Sequence, residues 1–136
     1  DDEMAERIAH HRESRPPAFA TRESPWHLGE ALRSDDAAHH LRIVDCLTLW
    51  LTNWLMPAPG VVLPGDWTDA RRDLLDALAG ARGPVILVSN EIGMGLIPMS
   101  REARRFVDTL GGLHRDLGRV ADRVTLVVAG LEVAVK

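Results

Sequence analysis

Apolar side chains in this sequence follow two rhythms, and the switches between them mark out the elements. Met4, Ile8 and His11 fall at i, i+4 and i+7, so residues 1–14 read as an amphipathic helix that Pro16 stops. Residues 16–25 form an extended, proline-containing connection, and a short helix follows around 26–32. The run Leu41-Arg42-Ile43-Val44-Asp45-Cys46-Leu47 is apolar and ends in an acid, as a buried parallel strand would. Residues 48–56 then return to helical spacing, ahead of a loop rich in proline and glycine (Pro57, Pro59, Gly60, Pro64, Gly65).

The second half repeats the alternation. Residues 68–81 are amphipathic, with Leu74, Leu75 and Leu78 inward and Arg71, Arg72, Asp73 and Asp76 largely outward. Residues 84–89 predict a second buried strand, and residues 90–98 a glycine-containing loop. Ser100 is positioned to cap a long helix running to about Ala121. Residues 123–129 and 131–136 predict two final strands that turn near Gly130 into an antiparallel hairpin. Strands alternating with helices predict a single α/β layered domain over 1–136 with a mainly parallel sheet.

Composition narrows the function classes. The net charge is −4, from 20 acidic and 16 basic side chains, which argues against a general nucleic-acid binder. The single cysteine, Cys46, rules out an intrachain disulfide and a cysteine-based zinc site, and fits a reducing compartment. No apolar run reaches the length of a membrane span, and the acidic start Asp1-Asp2-Glu3 is unlike a signal peptide. The expectation is a soluble, cytoplasmic protein.

Three constellations carry candidate chemistry. In the first, His10 and His11 sit among Arg7, Arg12 and Arg15. Histidine can act as a nucleophile toward phosphorus when unprotonated, and arginine forks hold phosphate oxygens. At about 100° per residue, His11 shares the Met4/Ile8 face while His10 points away. Taken alone, such a pair also reads as a solvated surface dipeptide, and so does His39-His40. The second is Asp45 at the carboxyl end of an apolar strand, where open α/β sheets bind ligands and nucleotide enzymes hold Mg²⁺; the plainer reading is a turn or cap aspartate. In the third, the strand over 84–89 delivers Asn90 and Glu91 to that same edge, with Gly93 and Gly95 permitting a tight backbone path.

Taken together, these residues resemble the bifunctional adenosylcobinamide kinase/adenosylcobinamide-phosphate guanylyltransferase family of cobalamin biosynthesis. The likeness runs from Asp1-Asp2-Glu3-Met4 and Arg7-Ile8-x-His10-His11 through Arg15-Pro16, Thr21-x-Glu23, Asp45-Cys46 and Thr52-Asn53. It is most specific at Asn90-Glu91-Ile92-Gly93-Met94-Gly95-Leu96-Ile97-Pro98, and closes on Leu126-Val127-Val128-Ala129-Gly130.

The resemblance implies a three-layer, RecA-like P-loop NTPase fold assembled as a homotrimer. It implies phosphorylation of adenosylcobinamide by ATP or GTP, then transfer of GMP from GTP through a GMP-histidine to adenosylcobinamide phosphate, with Mg²⁺. By alignment the nucleophile is His11, with His10 the fallback. Arg12, Glu13, Ser14, Arg15 and Glu23 are expected along the guanine nucleotide, and Asp45 at its phosphates or metal. Asn90, Glu91, Gly93 and Gly95 form a candidate active-site loop. No G-x-x-x-x-G-K-[ST] occurs, and Lys136 is the only lysine. Against the family pattern, the chain therefore reads as starting after the first strand and phosphate loop.

A rival reading is a catalytically incomplete module that binds corrinoid or mediates subunit assembly. Exposed Trp50, Trp54 or Trp67 would favour it.

Overall fold

The computed structural model describes residues 6, 9–10, 13–33 and 38–136. Its elements are α1 (Leu28–Leu32), β1 (Arg42–Asp45), α2 (Leu47–Leu55), α3 (Trp67–Ala79), β2 (Val85–Val88), α4 (Arg101–Val120), β3 (Thr125–Val128) and β4 (Leu131–Ala134). Glu6, Ala9, His10 and Glu13 are helical, in keeping with the helix expected near the start.

β1 and β2 pair in parallel, with Arg42 opposite Val85 and Asp45 opposite Val88. β3 and β4 form a separate antiparallel hairpin in which Val128 faces Leu131. The two residues between them, Ala129 and Gly130, both have positive φ (51° and 76°). That conformation suits a two-residue hairpin turn whose twist matches its strands. The fold is thus mixed α/β with a parallel pair and a terminal hairpin.

Helix boundaries follow side-chain chemistry. Asp66 Oδ1 accepts from Asp69 N (3.0 Å) to start α3, and Ser100 Oγ accepts from Ala103 N (3.1 Å) to start α4. At the other end of α4, the Lys136 ammonium donates to the carbonyls of Gly118 (3.0 Å), Arg119 (3.3 Å) and Ala121 (2.6 Å). A cation there satisfies orphan carbonyls and opposes the negative end of the helix dipole. The only lysine of the chain is therefore engaged in capping a helix.

The core is one cluster to which α1, α2, α3 and α4 all contribute. α2 contributes Leu47, Trp50, Leu51 and Trp54, an i, i+3, i+4, i+7 stripe, and α4 contributes Phe106, Leu110, Leu113 and Leu117. Leu74 and Ala77 of α3 and Leu28 and Leu32 of α1 complete it. Trp26 meets Trp54 edge to face at 5.2 Å, and Trp50 meets Trp67 at 5.1 Å. Trp50 and Trp54 are buried and Trp67 half-buried, so these indoles are packing elements. The exposure that would favour a non-catalytic assembly module does not occur at these positions.

Gly29 lets α1 approach α3 closely, since a Cβ there would lie 2.7 Å from the Asp73 carbonyl oxygen. Arg33 clasps the same residue, with Nη1 2.6 Å from Asp73 Oδ1 and Nη2 donating to Asp73 O (3.0 Å). Arg71, expected to point largely outward, instead pairs with Asp116 of α4 and is half-buried. Arg42 ties the start of β1 to the Leu32, Arg82 and Gly83 carbonyls.

The two parallel strands were expected to be buried, yet they alternate between half-buried and exposed. Val44, Val85 and Leu87 pack against the helical core, while Ile43, Ile86 and Val88 are exposed. Successive strand residues face opposite sides of a sheet, and the core cluster lies against only one of them.

Candidate functional site

The carboxyl ends of β1 and β2 bring together the second and third constellations. Asp45 closes β1 beside Val88, and Ser89, Asn90 and Glu91 leave the sheet immediately after it. Thr48, in the first turn of α2, lies between them. Its hydroxyl oxygen accepts from Asn90 N (3.0 Å) and Asn90 Nδ2 (3.2 Å) and lies 3.3 Å from Ser89 Oγ. Asn90 is thereby held by two donors on one oxygen, next to the residues that follow Asp45.

Glu91 is held by a second set of contacts. Its Oε1 accepts from Gly93 N at 2.7 Å, and its Oε2 lies 3.6 Å from His114 Nδ1. His114 Nε2 is 2.6 Å from Ser89 Oγ. One imidazole on α4 thus links the serine that ends the strand to the carboxylate that folds the loop. A Cβ at Gly93 would sit 2.9 Å from Glu91 Oε1, so glycine is what admits this carboxylate-to-backbone turn. Gly95 is not drawn into the network; a Cβ there would meet nothing within 4 Å.

The N-terminal constellation has its own local order. Ser14 N donates to the His10 carbonyl (3.0 Å), and Phe19 N to the Pro16 carbonyl (3.0 Å). Arg15 Nη1 donates to Thr21 Oγ1 at 2.9 Å, closing the loop that leads to Glu23. His10, Glu13, Ser14 and Glu23 are exposed and Arg15 is half-buried. His11 and Arg12 lie outside the described residues. The segment after Glu23 is moored to α2, because Trp50 Nε1 donates to the Trp26 carbonyl (3.1 Å) and Asn53 Nδ2 to the Pro25 carbonyl (3.2 Å). The helix that begins just past Asp45 therefore also anchors the strand of chain coming from His10–Glu23.

Sequence reasoning missed Thr48, Ser89 and His114 as site-organising residues. Thr48 and Ser89 flank singled-out residues, so proximity in sequence offered a signal. His114 offered none except its place beside the Leu110/Leu113 stripe, since its partners lie over twenty residues away.

This network predicts a measurable effect. In His114→Ala, the Ser89 hydroxyl and the Glu91 carboxylate lose their shared partner, at an expected cost of ~1 kcal/mol. Amide hydrogen exchange should accelerate at Asn90 and Gly93 while the α3 amides keep their protection. Unchanged exchange at those two amides would show that His114 does not fix the loop.

Among the described residues, no helix is long and apolar enough to cross a membrane. The family model described as cobinamide kinase/cobinamide phosphate guanyltransferase matches residues 1–135. The chain is 44% identical over 136 residues to the bifunctional adenosylcobalamin biosynthesis protein CobP of Pseudomonas aeruginosa, spanning all of this chain and 76% of that relative. It is 37% identical over 145 aligned residues to the bifunctional adenosylcobalamin biosynthesis protein CobU of Escherichia coli, spanning all of this chain and 80% of that relative. The same identity and coverage hold for the namesake protein of Salmonella typhimurium. This chain belongs to the cobinamide kinase/cobinamide phosphate guanyltransferase family, enzymes of adenosylcobalamin biosynthesis.

Proposed function

We propose that this chain carries the guanylyl-transfer chemistry of its family, with His11 as the covalent nucleophile. The observation that supports this most directly is the convergence of Asp45, Asn90 and Glu91 at the carboxyl edge of the parallel strands, where α/β folds bind nucleotides. The family's guanyltransferase name supplies the reaction class.

An unprotonated His11 nitrogen attacks the α-phosphorus of GTP, the bond to the bridging oxygen breaks, and pyrophosphate leaves. The phosphate oxygen of the corrinoid then attacks the same phosphorus. The P–N bond breaks, histidine is regenerated, and the corrinoid carries a guanosine diphosphate ester. Arg12 and Arg15 offset nucleotide charge, while Glu13, Ser14 and Glu23 line the nucleotide. Asn90, Glu91, Gly93 and Gly95 form the active-site loop that leaves this edge.

Mg²⁺ fits the donor at this edge. It takes hard oxygen ligands and is typically held by one or two carboxylates together with substrate phosphates, and Asp45 presents an exposed carboxylate at the end of β1. Asp45 is the residue that would hold it, and the bound ion would supply positive charge opposite the departing pyrophosphate. The fold reading that accompanies this function is the three-layer P-loop arrangement, with subunits assembled as a homotrimer.

The test is to incubate the full chain with GTP labelled at either the α- or the γ-phosphate, then separate protein under denaturing, non-acidic conditions. Protein-bound α-label without γ-label is expected, discharged when cobinamide phosphate is added. Retention of γ-label, or of neither, would overturn the covalent GMP intermediate.

A further inference from the structure

The loop that Glu91 and Asn90 hold at its base ends in an apolar tip. Met94 is 78% exposed, Leu96 97%, Ile97 82% and Met99 96%. Scattered exposed apolar residues are ordinary on any protein, but four within six positions form a patch of the kind that marks a binding surface. The tip runs directly into α4, whose first turns carry Arg101, Arg104 and Arg105. With Asp108 and Thr109 these arginines share one exposed face of α4. Arg104 joins the two features, because its Nη1 donates to the carbonyls of Pro98 (3.0 Å) and Met99 (2.7 Å). Arg104 is thus committed to holding the loop, and Arg101 and Arg105 are the other two exposed arginines of that face. Three guanidinium groups against one carboxylate leave this face net positive.

An apolar tip that runs into a cationic helix face fits a large amphipathic ligand that carries an anionic group. A corrinoid phosphate has that chemistry: a broad macrocycle with methyl-bearing edges, and a phosphate on one arm. A guanine nucleotide matches less well, since a single flat purine offers much less apolar surface than these four extended side chains present. We propose that the tip formed by Met94, Leu96, Ile97 and Met99, with Arg101 and Arg105, is the docking surface for the corrinoid phosphate acceptor. The aliphatic side chains take the macrocycle, and the two arginines take its phosphate arm through charge-assisted hydrogen bonds. This rests on the reading that the chain delivers GMP to a corrinoid phosphate. It adds the residues that recognise the acceptor, which are distinct from those that hold the nucleotide.

Equilibrium dialysis of the full chain against cobinamide and cobinamide phosphate, both followed by corrin absorbance, tests it. Leu96→Asp is expected to weaken both ligands about tenfold, the loss of most of one buried aliphatic contact. The double variant Arg101→Ala/Arg105→Ala is expected to weaken cobinamide phosphate by about tenfold or more, and cobinamide by less than about twofold. Both variants should accept α-label from GTP as the parent does, which also reports that they fold. Parental binding of both corrinoids by Leu96→Asp would overturn the proposal. So would equal weakening of both ligands in the arginine variant. A fall in sedimenting mass with Leu96→Asp would assign the tip to contact between copies of the chain, and would overturn it too. If the parent takes no α-label yet this dialysis pattern appears, the docking surface stands and the guanylyl-transfer reading falls.

Discussion

His11→Ala is expected to abolish protein-bound α-label from GTP and to lower guanylyl transfer by about 10³-fold or more, the scale on which a covalent nucleophile is lost. His10→Ala is expected to retain most of both. The distinction comes from helical phase. A residue at i+7 from Met4 and i+3 from Ile8 shares their face, whereas its neighbour is turned about 100° away. His10 is indeed exposed, with its own carbonyl accepting from Ser14 N to continue the local helix. On that phase His11 is expected to face the body of the protein, and an imidazole so placed would lose less freedom on reaching a phosphorus atom than one free in solvent. The comparison needs both variants on one gel, with a melting curve for each. Label that survives in His11→Ala and vanishes in His10→Ala would transfer the nucleophile to His10. Label that survives in both would remove it from this pair altogether.

How much of this was legible beforehand depended on the range of the signal. The α3 and α4 helices and their caps were readable because the period, the capping Asp66 and Ser100, and the apolar stripes are all local. The hairpin was readable for the same reason, with Ala129-Gly130 between two apolar runs. The strands were located, but their exposure was not. An apolar tetrad such as Val85–Val88 looks the same whether one face or both are covered, and only the placement of the helices decides it.

Arg71 shows the converse case. Its spacing put it largely outward on α3, yet Asp116, forty-five residues away, turns it inward toward α4. The candidate site divides along the same line. Asp45, Asn90 and Glu91 are legible because Asp45 closes one strand and Asn90 and Glu91 come within three residues of the end of the other, and a strand's carboxyl end is a place a sequence can specify. The Thr48–Asn90 and Ser89–His114–Glu91 contacts were not visible, because they join three elements and no local pattern encodes them. The double histidine is ambiguous on periodicity alone, and its proposed role as nucleophile, at His11 with His10 the fallback, rests on the family likeness.

Asp45→Asn should separate the metal-holding role from a structural one. The amide keeps the shape and much of the hydrogen-bonding capacity of the carboxylate but removes its charge, which is what a Mg²⁺ complex needs. Asp45 is exposed at the end of β1, outside the core cluster, so the variant is expected to melt within a few degrees of the parent. Its rate of α-label capture should nonetheless fall by about 100-fold, comparable to removing one preorganised electrostatic group from a transition state. The requirement for Mg²⁺ should rise in parallel, so that raising the ion concentration recovers part of the rate in the variant after the parent has saturated. Chelating the ion should silence the parent without changing its fold. Parental kinetics and a parental Mg²⁺ titration in Asp45→Asn would place the cation elsewhere and leave Asp45 as a turn residue. A large drop in melting temperature would show that its role is structural. The two readings of an acid at the end of an apolar strand thus differ in what moves, the metal titration for one and the melt for the other.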